Sequence, residues 1–247
     1  MKLRNIAGIF IVSLCVVGLF QLCPFALSTS SSKDVTMGKQ AMQQLAKQDI
    51  NEINSQIQTI QDKFTLQSVD VGSFSARFAN TVIMGDSLAA GLIEYGIMPA
   101  NLVMAERGNR TNNINEDIDR VIGYAPKAIF MEYGINDLGY CRGNAKLFAS
   151  QYKEQVSKLK KALPRTKIYI NSLTPIAIWA QEKNQVYTYV DEFNEALQQM
   201  CKELDVSYID NTKLINFNGD VYEFDGVHPH YPYYPIWLEH MLETAGY

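Results

Sequence analysis

Three short stretches of this chain carry residue types that do acyl chemistry together. Gly85-Asp86-Ser87-Leu88 follows a short apolar run, Gly134-Ile135-Asn136-Asp137 follows a second, and Asp225-Gly226-Val227-His228 lies near the C-terminus. They supply a nucleophile, an oxyanion donor, a base and a carboxylate to orient that base, the parts needed for acyl transfer through a serine ester. A lone Gly-Asp-Ser reads as a helix cap. The company of the other two stretches favours Ser87 as nucleophile. Asp225 and His228 are three apart, a spacing that brings a carboxylate to Nδ1 of the imidazole and leaves Nε2 free to take the serine proton. His230 is the competing base, but Pro229 forces an extended path between it and the carboxylate. His240 is placed on the surface of the final helix. Asn136 can turn its amide N–H₂ into the site, and Asp137 is read as closing its own turn through backbone hydrogen bonds.

These residues need elements to hold them. Apolar runs at 81–84, 102–105, 128–133, 167–173 and 206–209 read as strands, and helical patterns at 88–95, 112–122, 145–163, 185–204 and 234–244 fall between or after them. Strand then helix, five times over, predicts a parallel sheet covered on both faces. In such sheets ligands sit at the C-terminal ends of the strands. Ser87 follows the first strand, Asn136 the third, and Asp225 and His228 the fifth.

The three blocks, taken in order, resemble the SGNH (GDSL-type) hydrolases over roughly 81–247. The resemblance implies a flavodoxin-like three-layer α/β/α sandwich with a five-stranded parallel sheet. It implies Ser87 as nucleophile, His228 as base and Asp225 as its orienter, with an oxyanion hole made of the Ser87 N–H, the Gly108 N–H and the Asn136 amide. Gly108 is the candidate because Arg107-Gly108 follows the second strand, where the family glycine belongs. A tight turn without a catalytic role is the other reading of Gly108. The Gly-x-Ser-x-Gly elbow of the α/β-hydrolases is absent around Ser87.

Composition narrows the remaining choices. The chain has 247 residues, 47% of them hydrophobic and 19% charged, with a net charge of -4, which suits a globular protein and gives no basic stripe for nucleic acid. Lys2 and Arg4 precede an apolar stretch from Ile6 to Phe20, so 1–28 reads as a cleaved signal peptide or a retained signal anchor, exporting the rest to the cell surface or beyond. If uncleaved, this segment contacts the membrane. Residues 29–74 read as a linker and helical stalk, with Ile50, Ile53, Ile57 and Ile60 as one narrow stripe, and 75–247 as the hydrolase domain. Cys141 and Cys201 are the cysteines outside the targeting segment, and a disulfide between them is permitted in an exported protein. No metal or cofactor is called for, since no His/Cys cluster has zinc spacing.

The expected substrate is a small-molecule or glycan ester. Trp179, Tyr187 and Tyr189 follow the fourth strand, and Tyr231, Tyr233 and Tyr234 follow His228. Aromatic faces beside a cleft suit sugar rings, although such residues also build cores. Asp86 and Trp179 are the expected substrate contacts. The reading is an exported O-acyl, foremost O-acetyl, esterase acting on carbohydrate. A glycan O-acetyltransferase with the same residues, a lipid or thioester hydrolase, and an inactive glycan-binding module stand as alternatives.

Overall fold

A computed structural model describes residues 71–215 and 221–247. The targeting segment and the isoleucine stripe fall outside them. Five parallel strands form one sheet in the order β2-β1-β3-β4-β5, with β1 at Thr81–Gly85, β2 at Val103–Ala105, β3 at Ala128–Glu132, β4 at Lys167–Asn171 and β5 at Ser207–Ile209. Every residue of β1 and β3 is buried, as expected of central parallel strands covered on both faces.

The pleat sorts these strands into two cores. Val82 and Met84, Ile129 and Met131, and Ile168 and Ile170 face one side. There they meet α3 (Asn115–Tyr124), α4 (Ile135–Tyr140), α5 (Ala145–Ala162) and α7 (Val190–Leu204). Ile83, Phe130 and Tyr169 face the other side, against α1 (Val71–Arg77), α2 (Ser87–Glu94) and α8 (Tyr233–Ala245). The result is the expected three-layer α/β/α sandwich. Helix α5 shows how sequence makes its contacts: Phe148, Tyr152, Val156 and Leu159 recur at helical spacing and all are buried. Asn144 caps its start by accepting the Leu147 N–H at 3.0 Å, and Pro164 follows its end.

Several elements differ from the sequence pattern. The pattern at 185–204 is a 3₁₀ turn, Gln185–Tyr189, running into α7, because Asn184 accepts from the Val186 N–H and starts a turn that buries nothing. Helices α4 and α6 (Ile178–Lys183) are too short to show a period in sequence. Phe74 and Phe78, in and just after α1, are fully buried in the second core. Cys141 and Cys201 are buried free thiols, and burial pushes their pKa up to about 11 and about 12.

Candidate active site

The strand order reverses between β1 and β3, so a crevice opens beyond their carboxyl ends. Ser87 leaves β1 there and Asn136 leaves β3. Asp86 caps α2 by accepting the Leu88 N–H at 3.1 Å, which sets Ser87 as the helix's first residue, only 8% exposed. The third stretch arrives on a strap, Val221–His230, folded back on itself. His230 N–H donates to the Val221 carbonyl and Glu223 N–H to the His228 carbonyl, both at 2.7 Å, around a Tyr222–Pro229 bridge. Asp225 and His228 sit at its tip.

Three distant stretches thereby meet. His228 Nε2 lies 2.8 Å from Ser87 Oγ, and His228 Nδ1 lies 2.6 Å from Asp225 Oδ2. The other Asp225 oxygen accepts the N–H groups of Val227 at 2.8 Å and His228 at 3.0 Å, so the carboxylate is fixed before it touches the ring. Burial pushes the Asp225 carboxyl up. Its contacts with the His228 ring and with these backbone groups outweigh that and hold it below the ordinary carboxylate range.

Asn136 lies on the opposite side. Its Nδ2 donates to Asp86 Oδ2 at 3.2 Å and to the Asn109 carbonyl at 3.1 Å, tying together the turns after β1, β2 and β3. Gly108 precedes Asn109 on the exposed β2 loop with a φ of +84°, a conformation that favours glycine. The Asp137 carboxylate also reaches beyond its own turn. It accepts the Thr111 hydroxyl at 2.6 Å and the Thr111 N–H at 3.1 Å, pinning the loop that carries Gly108 and Asn109.

Both expected substrate contacts are placed elsewhere. Asp86 is fully buried, its two oxygens given to Leu88 and Asn136, so it builds the site rather than meeting a substrate. Trp179 packs edge-on against Tyr222 at 6.0 Å, and its Nε1 lies 2.8 Å from where a Cβ on Gly226 would stand, so it supports the strap from beneath. Tyr233 is core and Tyr234 is nearly so, while Tyr231 is exposed and meets Tyr95 edge-on.

Sequence reasoning passed over Glu132 and Glu223. Glu132, 1% exposed, ends β3 in register with Gly85. Burial first, and the neighbouring Asp86 next, push its carboxyl well up. Burial likewise pushes Asp86 up to about 6. Glu223 accepts the Tyr95 hydroxyl at 2.9 Å and faces His230 Nδ1 at 2.9 Å, which gives His230 a partner of its own apart from Asp225. The register that buries Glu132 and the strap fold that turns Glu223 outward are both tertiary, so neither leaves a local signal.

A cleft of about 340 Å³ opens beside Ser87 and His228. A larger groove, about 1010 Å³, lies at the other end of the strands around Thr81, Lys127 and Thr166, away from this chemistry. Among the described residues no group of three His, Cys, Asp or Glu side chains is arranged to hold a metal.

Comparison with known proteins returns a family model and solved structures of the same fold. The model of a family described as the GDSL-like lipase/acylhydrolase family matches residues 72–232. No curated protein matches the chain. A GDSL-like lipase from Bacteroides thetaiotaomicron superposes with a TM-score of 0.56 at 16% identity, covering 67% of this chain and 87% of that one. An acetylxylan esterase from Geobacillus stearothermophilus, solved as a catalytic mutant of an aspartate, gives 0.51 at 16% identity, covering 68% and 94%. A carbohydrate esterase of family 3 from Talaromyces cellulolyticus gives 0.50 at 16% identity, covering 67% and 93%. At these identities the likeness is one of fold.

Proposed function

The chain belongs to the GDSL-like lipase/acylhydrolase family and is a serine ester hydrolase, and on that premise we propose that Ser87, His228 and Asp225 remove O-acetyl groups from a carbohydrate through an acyl-enzyme. The observation that carries this reading is the pair of contacts at His228, 2.8 Å to the serine oxygen and 2.6 Å to the aspartate. Ser87 Oγ attacks the ester carbonyl carbon while His228 Nε2 takes its proton. The carbonyl oxygen becomes an oxyanion, received by the Ser87 N–H and the Asn136 amide, with the Gly108 N–H as third donor. The present contacts of Asn136 are long, at 3.1 and 3.2 Å, and a localised anion competes well for those hydrogens. His228 returns the proton to the departing alcohol, leaving acetyl-Ser87. A water, deprotonated by the same ring, releases acetate.

The small cleft supports a short acyl group on a polar alcohol. Fold likeness to an acetylxylan esterase and a carbohydrate esterase points the same way. The basic-then-apolar N-terminus supports export, with the substrate met at the cell surface or outside it.

The test is hydrolysis of O-acetylated sugars alongside a chain-length series of chromogenic esters, by wild type and Ser87→Ala. The expected outcome is acetyl turnover that declines with chain length and falls at least 10³-fold (order of magnitude) in the variant. Equal rates for the two proteins would remove the serine mechanism. Preference for long chains would move the reading to lipids.

A further inference from the structure

The strap that carries His228 also carries Glu223 and Phe224, and both line the cleft. His228 Nε2 hands its proton to the departing oxygen, so the alcohol half of the ester must lie on this side, with the oxyanion donors opposite. What the strap and its facing helix present there is therefore what the alcohol meets. Glu223 is held by two contacts, from the Tyr95 hydroxyl and with His230 Nδ1, and both fall on Oε1. Among the described residues Oε2 has no partner and stands as an acceptor on an oriented carboxylate. Those same two partners hold the Glu223 carboxyl below its ordinary pKa, so it is ionised at neutral pH. Arg107 borders the same cleft and is tied to that facing helix, engaging Glu94 through Nε and Nη2, which fixes the guanidinium plane and leaves Nη1 without a partner among the described residues. Beside them the Phe224 ring is 94% exposed, immediately before Asp225.

Resting on the proposed function, we propose that Glu223 Oε2 and Arg107 Nη1 form the subsite that recognises the free hydroxyls of the departing sugar, with Phe224 as an apolar face for its ring. One fixed acceptor and one fixed donor beside an aromatic face match a polyol, whose hydroxyls both give and receive hydrogen bonds. A hydrocarbon alcohol would make no use of either: Glu223 Oε2 and Arg107 Nη1 would keep their water and gain nothing from it. The subsite would serve equally for a sugar hydroxyl arriving as acyl acceptor, because that hydroxyl enters by the path the leaving alcohol takes.

The test compares two acetyl esters of similar ring size: a mono-O-acetylated methyl glucoside, with free hydroxyls, and cyclohexyl acetate, with none. Both need the same triad, so the ratio of their kcat/KM values cancels any loss caused by a displaced strap. Wild type should favour the sugar ester. Glu223→Ala and Arg107→Ala should each lower the ratio about tenfold, mostly through KM on the sugar ester, and Glu223→Gln should restore part of it. Arg107 stands on a different loop, so it tests the subsite even if Glu223→Ala does not fold. A ratio unchanged in both alanine variants, with wild type still favouring the sugar, would overturn the subsite and leave the carbohydrate esterase standing. A wild type indifferent to the hydroxyls would overturn both.

Discussion

At His228 the two ring nitrogens have different partners, and the proposed mechanism depends on keeping them apart. Asp225 Oδ2 at Nδ1 demands a hydrogen there, which makes Nε2 the lone-pair nitrogen facing Ser87. Asp225→Asn tests this without dismantling the turn. The amide oxygen can still accept from the Val227 and His228 N–H groups, but an N–H₂ then faces Nδ1 and drives the ring hydrogen to Nε2. Ser87 would meet a donor where it needs a base. The expected result is a kcat lower by about 10³–10⁴-fold with a near-normal melting temperature, checked by steady-state kinetics and thermal denaturation. A variant within tenfold of wild type would contradict the tautomer argument. The meeting of Ser87, Asp225 and His228 was legible in the sequence because few residue types could do the proposed chemistry and their blocks come in a fixed order. Asp86 and Trp179 were misread for the opposite reason. An aspartate beside the nucleophile and a tryptophan near the cleft have many uses, and only the direction of the side chain separates a substrate contact from a support.

The strap depends on how closely it can lie on the loop after β4. Gly226 makes that approach: its φ is +72°, its carbonyl accepts the Ala177 N–H at 2.9 Å, and a Cβ there would come within 3.0 Å of Trp179, Ala180 and Ala177. Gly226→Ala therefore adds strain in the left-handed region to a collision with packed groups, and lifts the tip that carries Asp225 and His228. A stability loss of about 2–4 kcal/mol is expected, together with a clear fall in kcat. Gly108→Ala is the contrast, since its φ of +84° is equally unusual but nothing stands within 4 Å of the added methyl. It should cost only the backbone term, about 1 kcal/mol. Urea denaturation of both variants checks the difference, and equal losses would show that the packing under the strap contributes little. At this scale the five strands were legible, because a buried parallel strand is an unbroken apolar run. Helices α4 and α6 were not, because six residues hold less than two turns and their apolar side chains cannot show a period. The strap was invisible as well: its few ladder contacts join Val221, Tyr222 and Glu223 to the residues around Pro229, and such a fold-back has no alternating pattern of its own.

Over the sandwich as a whole, the crevice that makes a site also gathers carboxyls away from water. Asp86, Glu132 and Asp137 all lie at the carboxyl ends of β1 and β3, and burial leads the causes that push each of them up. The layer plan was legible from the alternation of strand and helix, whereas this cluster was not, because the register that sets Glu132 beside Gly85 exists only in the assembled sheet. A carboxyl whose folded pKa lies above its unfolded value binds more protons folded than unfolded, so stability falls as pH rises between the two values. For Asp86 that window runs from the ordinary value of 3.8 to about 6. Asp225, Glu223 and Glu239 are shifted the other way, and their contribution is lost only as pH falls through the acid range below their ordinary values. Over the Asp86 window stability should therefore decline as pH rises. Denaturant midpoints measured from pH 4.5 to 6.5 should show that decline in wild type, approaching about 1.4 kcal/mol per pH unit for one proton. Asp86→Asn keeps an acceptor for the Leu88 N–H and removes the titrating group, so its slope over the same interval should be shallower. A wild-type stability that is flat or rising from pH 4.5 to 6.5 would mean that the buried carboxylates find compensation elsewhere in the sandwich.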